Sequence, residues 1–239
     1  MYNINDIDDI DALYSELEFA LRIESDLAYA DFGAGNYRIA YRGTIYDSQG
    51  ELDRTTHSIM GSIQFMVCLM AQSARHGIKT FDFRSASGPN GIRSFEGIFD
   101  TDEMSLSSKF KALLPETVTN PDILVIEQFE LLPMYRGKDI GERTIKLLLH
   151  HFKQSCGLLM LEVRPYQHTI FYENYVRLHP EQAEAMAYDD FTDDEELASL
   201  KLMALFTNIG FKVATGINEK VVYLSTADAV VHPRDFRVG

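Results

Sequence analysis

A chain of 239 residues, 46% of them hydrophobic, can bury one large core or two small ones. Its formal net charge of -14 and pI near 4.8 argue against a nucleic-acid surface, because neutralising phosphates takes clustered Lys and Arg. The first residues carry Asp where a secretory signal carries Lys or Arg, and the most apolar run, residues 59–71, is broken by Gly61, Ser62 and Gln64 and is shorter than the ~20 residues that span a bilayer. A cytoplasmic protein without a membrane span is expected, and one that holds no metal: the two cysteines, Cys68 and Cys156, sit in apolar surroundings without a C-x-x-C or a His at ligand spacing, and read as reduced and buried.

No repeat, low-complexity tract or Gly/Ser linker marks a boundary, so one domain is expected. Ile7, Ile10, Leu13, Leu17, Ala20, Leu21 and Leu27 recur at helical spacing and predict an opening helix over residues 7–28. Alternation over 37–46, the turn residues Asp47-Ser48-Gln49-Gly50 and a second apolar run over 57–69 predict a β-hairpin. A short strand is expected at 79–83 and a helix at 88–99. Residues 122–132 read as a strand, 141–155 as an amphipathic helix with a Glu142–Lys146 pair, and 158–163 as a second strand. Thr192 and Glu195 form a capping box that predicts a helix to about Asn208, ended by Gly210, and a last strand follows at 221–225. This order calls for a mixed sheet covered by helices.

One turn stands out. Arg136-Gly137-Lys138-Asp139-Ile140-Gly141 joins a strand to a helix, with two glycines that let a ligand approach the backbone. The free N–H groups of a first helical turn, with the helix dipole, favour an anion there, and phosphate is the natural one. The same spacing also suits a plain tight connection in which the glycines only relieve strain. A Walker loop and a G-x-G-x-x-G dinucleotide turn are both absent.

The segment Leu131-Leu132-Pro133-Met134-Tyr135-Arg136-Gly137-Lys138-Asp139-Ile140-Gly141 resembles the Val-x-Pro-x-Tyr-Arg-Gly-Lys-Gly-Ile-Gly context of the GNAT superfamily of acyl-CoA-dependent N-acetyltransferases. The likeness continues through the helix, the strand LLMLEV, and Phe206-Thr207-Asn208-Ile209-Gly210-Phe211, similar to the family's Tyr-x-x-x-Gly-Phe; it spans about residues 120–225. It implies an α/β (α+β) fold with a mixed, mostly antiparallel central sheet flanked by helices. Residues 1–120 would supply the hairpin and acceptor side, 121–225 the acyl-CoA-binding core and 226–239 a tail. It further implies that acetyl-CoA is co-substrate, with Arg136, Gly137, Lys138, Asp139, Ile140, Gly141 and Glu142 cradling its pyrophosphate and the strand at Leu131 and Leu132 pairing with the pantetheine arm. The acceptor would be an amine on a small molecule or a protein, and a homodimer is compatible with the likeness. Two residues depart from the family pattern: Asp139 replaces the central glycine, and Phe206 replaces the Tyr that protonates the leaving thiolate. A degenerate relative that binds acyl-CoA or a protein partner without efficient catalysis fits those departures, and a longer acyl donor is not separable from acetyl at this level.

Acyl transfer to an ammonium needs a base, and Glu127 and Glu130 lie on the candidate strand. Alternation sends them to opposite faces unless a bulge intervenes, and each also reads as a plain strand carboxylate. The long connection from Tyr166 to Asp190, with Phe171, Tyr172, Tyr175, Tyr188 and two prolines nearby, reads as an acceptor-side lid. The acidic run from Asp189 to Glu196 reads first as a solvated helix start, and His150 and His151 as residues complementing a helix C-terminus.

Overall fold

The computed structural model describes residues 19–26, 37–47, 59–77, 95–100, 105–169, 172–188 and 192–228. Within them a seven-stranded sheet runs in the order β1-β2-β3-β4-β5-β7-β6. Its strands are β1 (Phe19–Asp26), β2 (Arg38–Asp47), β3 (Ile59–Cys68), β4 (Ile123–Leu131), β5 (Leu158–Glu162), β6 (Lys212–Ala214) and β7 (Asn218–Ser225). Every neighbouring pair is antiparallel except β4 and β5, which a helical crossover makes parallel. The helices are α1 (Met70–Arg75), α2 (Ser108–Lys111), α3 (Ile140–Phe152), α4 (Tyr172–Leu178), α5 (Pro180–Met186) and α6 (Glu195–Ile209). This is the mixed, mostly antiparallel sheet with flanking helices that the sequence implies.

The sheet buries both faces. On one, Ile63, Phe65 and Val67 of β3, Leu124 and Ile126 of β4 and Leu159 and Leu161 of β5 meet Ile145, Leu148, Leu149 and Phe152 of α3 and Phe206 of α6. These α3 side chains recur at i, i+3, i+4 and i+7, the stripe that a sheet-packed helix needs, and each contributes ~1.5–3 kcal/mol by leaving water. Phe65 stacks on Tyr41 at 5.0 Å and meets Phe152 edge-on at 5.4 Å. On the other face, Met66, Cys68, Ile123, Val125, Leu158 and Met160 are covered by Phe95, Ile98, Phe99, Leu106 and Phe110. A Cβ on Gly61 would lie 2.2 Å from the Glu130 carbonyl oxygen, so only glycine lets β3 approach the end of β4 this closely.

Three expectations are corrected, and one strand is added. Residues 19–26, expected within the opening helix, form β1; Leu21 and Ile23, two apart, both pack on the sheet core, so the period there is that of a strand, while the rest of that helix lies outside the described residues. Residues 95–99, expected to end a helix, make a turn and a bridge from Phe99 to Leu106; the rest of 88–99 and the strand at 79–83 lie outside the described residues. The N-cap of α6 is Asp194, whose carboxylate accepts from the Leu197 N–H at 2.9 Å, whereas the Thr192 hydroxyl accepts from the Asp194 N–H at 3.3 Å and from no amide of the helix. A carboxylate also suits the positive end of the helix, and it takes the cap from the hydroxyl two residues earlier. The final strand pairs with a further short one, β6. The hairpin β2–β3, strands β4 and β5, the Glu142–Lys146 pair at 3.0 Å and the closure of α6 at Gly210 stand as expected; most of the turn over 47–50 lies outside the described residues.

Candidate functional site

β4 leads through a 3-10 turn, Pro133–Tyr135, into the segment that opens α3. Gly137 sits at φ 71 and Asp139 at φ 59, so two left-handed residues fold the backbone into a tight concavity. Asp139 is the N-cap of α3, and its carbonyl accepts from the Arg143 N–H at 2.9 Å. The amides of Ile140, Gly141 and Glu142 are those a helix start leaves without carbonyl partners, and Asp139, which is exposed, makes no side-chain cap. Gly141 faces Phe129 and Leu131, where a Cβ would make ordinary contacts at 3.5 and 3.7 Å.

The edge of β4 is the second element. β4 and β5 pair only from Ile123–Leu158 to Ile126–Leu161, so among the described residues no strand covers 127–131 on that edge. Leu132 donates its N–H to Met60 on the β3 side at 2.9 Å, and alternation therefore turns the backbone groups of Leu131 and Phe129 to the open edge. The Leu131 carbonyl there accepts from Arg136 Nε at 2.9 Å. The Arg136 side chain thus folds back on the strand, while its main chain opens the turn.

The carboxylates are the third. Gln64 pairs with Gln128 but Phe65 pairs with Ile126, which leaves Glu127 as the extra residue of a β-bulge. The bulge reverses the parity of the strand: Leu124 and Ile126 before it and Phe129 after it share the α3 face. Gln128 and Glu130 accordingly share the opposite face, and Gln128 Nε2 donates to Glu130 Oε1 at 2.6 Å. Glu127 belongs to that face as well, near Arg38, which lies opposite Cys68 on β2. Alternation alone would have put Glu127 and Glu130 on opposite faces, and the bulge puts them on one. Burial pushes the Glu127 carboxyl above its ordinary value, and the Arg38 charge opposes that rise. Burial also lowers the Arg38 value.

The described part of the connection, 166–169 and 172–188, holds a 3-10 turn and helices α4 and α5, and Phe171 lies outside the described residues. Its own small core is a cluster of four tyrosines: Tyr166 lies 5.4 Å from Tyr175 and 5.6 Å from Tyr188, and Tyr172 lies 5.6 Å from Tyr188, centroid to centroid. The buried Tyr188 hydroxyl donates to Glu130, and burial, then the Glu130 charge, pushes its phenol far up. Sequence reasoning named these tyrosines as a lid but missed that one would fasten to a candidate base. It also missed Gln128 and Arg38, whose roles depend on the bulge and on strand register.

Cys68 and Cys156 are free and buried, with thiols pushed by burial to about 12. Among the described residues no group of three His, Cys, Asp or Glu could hold a metal, and no helix is long and apolar enough to cross a membrane. Phe206 is buried in the main core, edge-on to Phe211 at 5.5 Å.

No family profile and no curated protein matches the chain. Among solved structures, AtaTR bound with AcCoA is 10% identical with a TM-score of 0.36, covering 86% of this chain and 94% of that one. A KacTA–DNA complex is 9% identical with a TM-score of 0.36, covering 87% and 94%. A mutant of the AtaT toxin bound to the C-terminus of the antitoxin AtaR and acetyl-CoA is 10% identical with a TM-score of 0.35, covering 86% and 93%. At such scores the description of this fold rests on its own strand order, register and motif.

Proposed function

We propose that the chain is an acyl-CoA-dependent N-acyltransferase of the GNAT kind that moves an acetyl group from acetyl-CoA to a primary amine. The carrying observation is that the open edge of β4, residues 127–131, runs straight into the turn Arg136–Gly141 and the start of α3. An extended arm with amides suits a strand edge, and a diphosphate suits the amides of a helix start. Coenzyme A joins both in one molecule. Leu131 serves the arm from the open edge; Leu132, expected beside it, has its N–H on Met60 and its carbonyl on the Tyr135 N–H and does not pair with the arm. The backbone of Arg136, Gly137, Lys138, Asp139, Ile140, Gly141 and Glu142 serves the pyrophosphate.

The acceptor arrives as an ammonium and must lose a proton before its lone pair can attack the thioester carbonyl. Glu127 or Glu130, on one face beside the open edge, takes that proton directly or through water. Burial raises the Glu127 pKa, so its carboxylate, once ionised, is a stronger base than an exposed glutamate. Attack forms the C–N bond and leaves the adduct nitrogen cationic; collapse of the tetrahedral adduct breaks the C–S bond, and that nitrogen's surplus proton passes through water to the leaving thiolate, since Phe206 has none to give and is buried in the core.

A second reading has its own support. Asp139 places a carboxylate at the diphosphate turn and the lid tyrosine Tyr188 occupies Glu130, features that suit a relative which binds acyl-CoA or a partner without efficient turnover. One experiment bears on both. Acetyl-CoA at a hundredfold excess over Kd should stabilise the fold by ~2.7 kcal/mol, with ATP and NAD doing much less. Release of free thiol with a panel of amines then separates transfer from binding. No thermal shift at saturating acetyl-CoA would overturn the cofactor assignment.

A further inference from the structure

Arg136 opens the turn, yet its guanidinium lies behind it. Nε holds the Leu131 carbonyl at 2.9 Å, and Nη2 holds the Met186 carbonyl, the last residue of α5, at 2.5 Å. The next residue, Ala187, is at φ 42, a left-handed conformation that a Cβ disfavours. Tyr188 follows, with its hydroxyl on Glu130. The lid is therefore fastened at two points on either side of a strained residue, and both fastenings end on the last residues of β4, Glu130 and Leu131.

The geometry points to Arg136 as a positioning residue that couples the cofactor strand to the lid. The inference rests on the cofactor reading above, because it needs a ligand that lies along the open edge of β4. An amide N–H that takes the Leu131 carbonyl occupies the place of Arg136 Nε. Once Arg136 shifts, its hold on Met186 goes with it, Ala187 relaxes, and the bond from Tyr188 to Glu130 loses its support. Glu130 Oε1, shared in the closed lid by Gln128 and Tyr188, is then open on one side to an acceptor ammonium. The acyl donor thus enters first and prepares the acceptor site. Linkage makes the coupling reciprocal: a change that opens the lid tightens ligand binding on the edge by the same factor by which the ligand opens the lid.

Arg177, exposed on α4, is the one trypsin site between Arg164 and Lys201, so cleavage after it reports lid opening in the full chain. The probes are coenzyme A and pantetheine, which carries the amides of the arm but no phosphate. Both should speed cleavage after Arg177 about fivefold, the size of one hydrogen bond exchanged. Tyr188→Phe, which keeps the ring in its cluster, should speed cleavage without ligand and bind pantetheine about fivefold more tightly. Arg136→Gln should also bind pantetheine more tightly, and Arg136→Lys should not restore the closed lid, because an ammonium cannot span the two carbonyls as a guanidinium fork does. Binding of pantetheine with unchanged or slower cleavage overturns the coupling and leaves the cofactor reading standing. Arg136→Gln that weakens coenzyme A but leaves pantetheine unchanged makes Arg136 a phosphate ligand and overturns the coupling too. Failure of both probes to bind the folded protein overturns the coupling together with the cofactor reading.

Discussion

Asp139 is the residue at which the proposed phosphate turn can be tested most sharply. It is exposed, left-handed at φ 59 and ψ 1, and uses no side-chain bond to cap α3. For an exposed carboxylate the dielectric of water applies: at a separation on the order of 6 Å, two unit charges repel by about 0.7 kcal/mol, or ~1.4 kcal/mol for a diphosphate counted as two. A Debye length of ~8 Å at physiological salt halves this to ~0.7 kcal/mol, about a threefold loss of affinity. Asp139→Asn removes the charge and keeps the conformation, so it should bind coenzyme A about threefold more tightly, with the gain fading at ~1 M salt where the Debye length is ~3 Å. Asp139→Gly removes the charge and also the left-handed strain, so it should match or exceed that gain. Isothermal titration of wild type and both variants with coenzyme A, at low and high salt, measures the two parts separately. Unchanged or weaker binding in both variants would refute a phosphate on this turn. An equal gain at both salts would show that charge is not the cause.

Three further outcomes are expected. If an amine substrate is found, Glu127→Gln or Glu130→Gln should lower kcat by about a hundredfold. Should Glu127 be that base, its raised value puts the acid limb of kcat/KM at higher pH than an ordinary glutamate would; by the same sign its stabilising contribution is full below the unfolded value and lost as pH rises through the folded one, so Glu127→Gln should flatten the dependence of stability on pH there. With thiols at about 12, Cys68 and Cys156 should react with a thiol reagent roughly a thousandfold more slowly in the folded protein than after denaturation, and fast labelling of either without unfolding would contradict their burial. In α6, Asp194→Ala should cost ~1 kcal/mol in a denaturant titration and Thr192→Ala only a few tenths, the reverse of what a capping box at Thr192 would give.

What could be read in advance follows the range of the interactions involved. The stripe Ile145, Leu148, Leu149 and Phe152 and the Glu142–Lys146 pair are properties of one helix, so spacing carries them. The apolar runs that become β3, β4 and β5 are buried on both faces and are strongly marked for the same reason. At 19–26 the periods of helix and strand overlap over a few residues, and only pairing with β2 decides between them. At α6, Thr192 and Asp194 are both good caps; the choice depends on where the chain leaves the lid, which no local pattern records. The motif around Arg136 locates the turn, but the destination of the guanidinium depends on Met186, fifty residues along.

The bulge at Glu127 is the clearest case of a long-range feature with a consequence for the candidate site. Nothing in ILVIEQFEL announces it: the bulge arises because the close contact at Gly61 fixes one register of β3 on β4, while Cys68, Val67 and Met66 paired with Ile123, Leu124 and Val125 fix another, one residue out of step. One extra residue must lie between those anchors, and it is a glutamate. Had the strand been regular, Glu127 and Glu130 would face opposite sides, one of them into the α3 core, where an unpaired carboxylate costs several kcal/mol. With the bulge both leave that core, Glu127 towards Arg38 and Glu130 towards Gln128 and Tyr188. The same irregularity that protects the core therefore gathers two carboxylates beside the open edge of β4. Shortening β4 by deleting Glu127 would restore alternation but return Gln128 and Glu130 to a regular ladder without a bend, leaving one carboxylate where the proposed proton-transfer site has two.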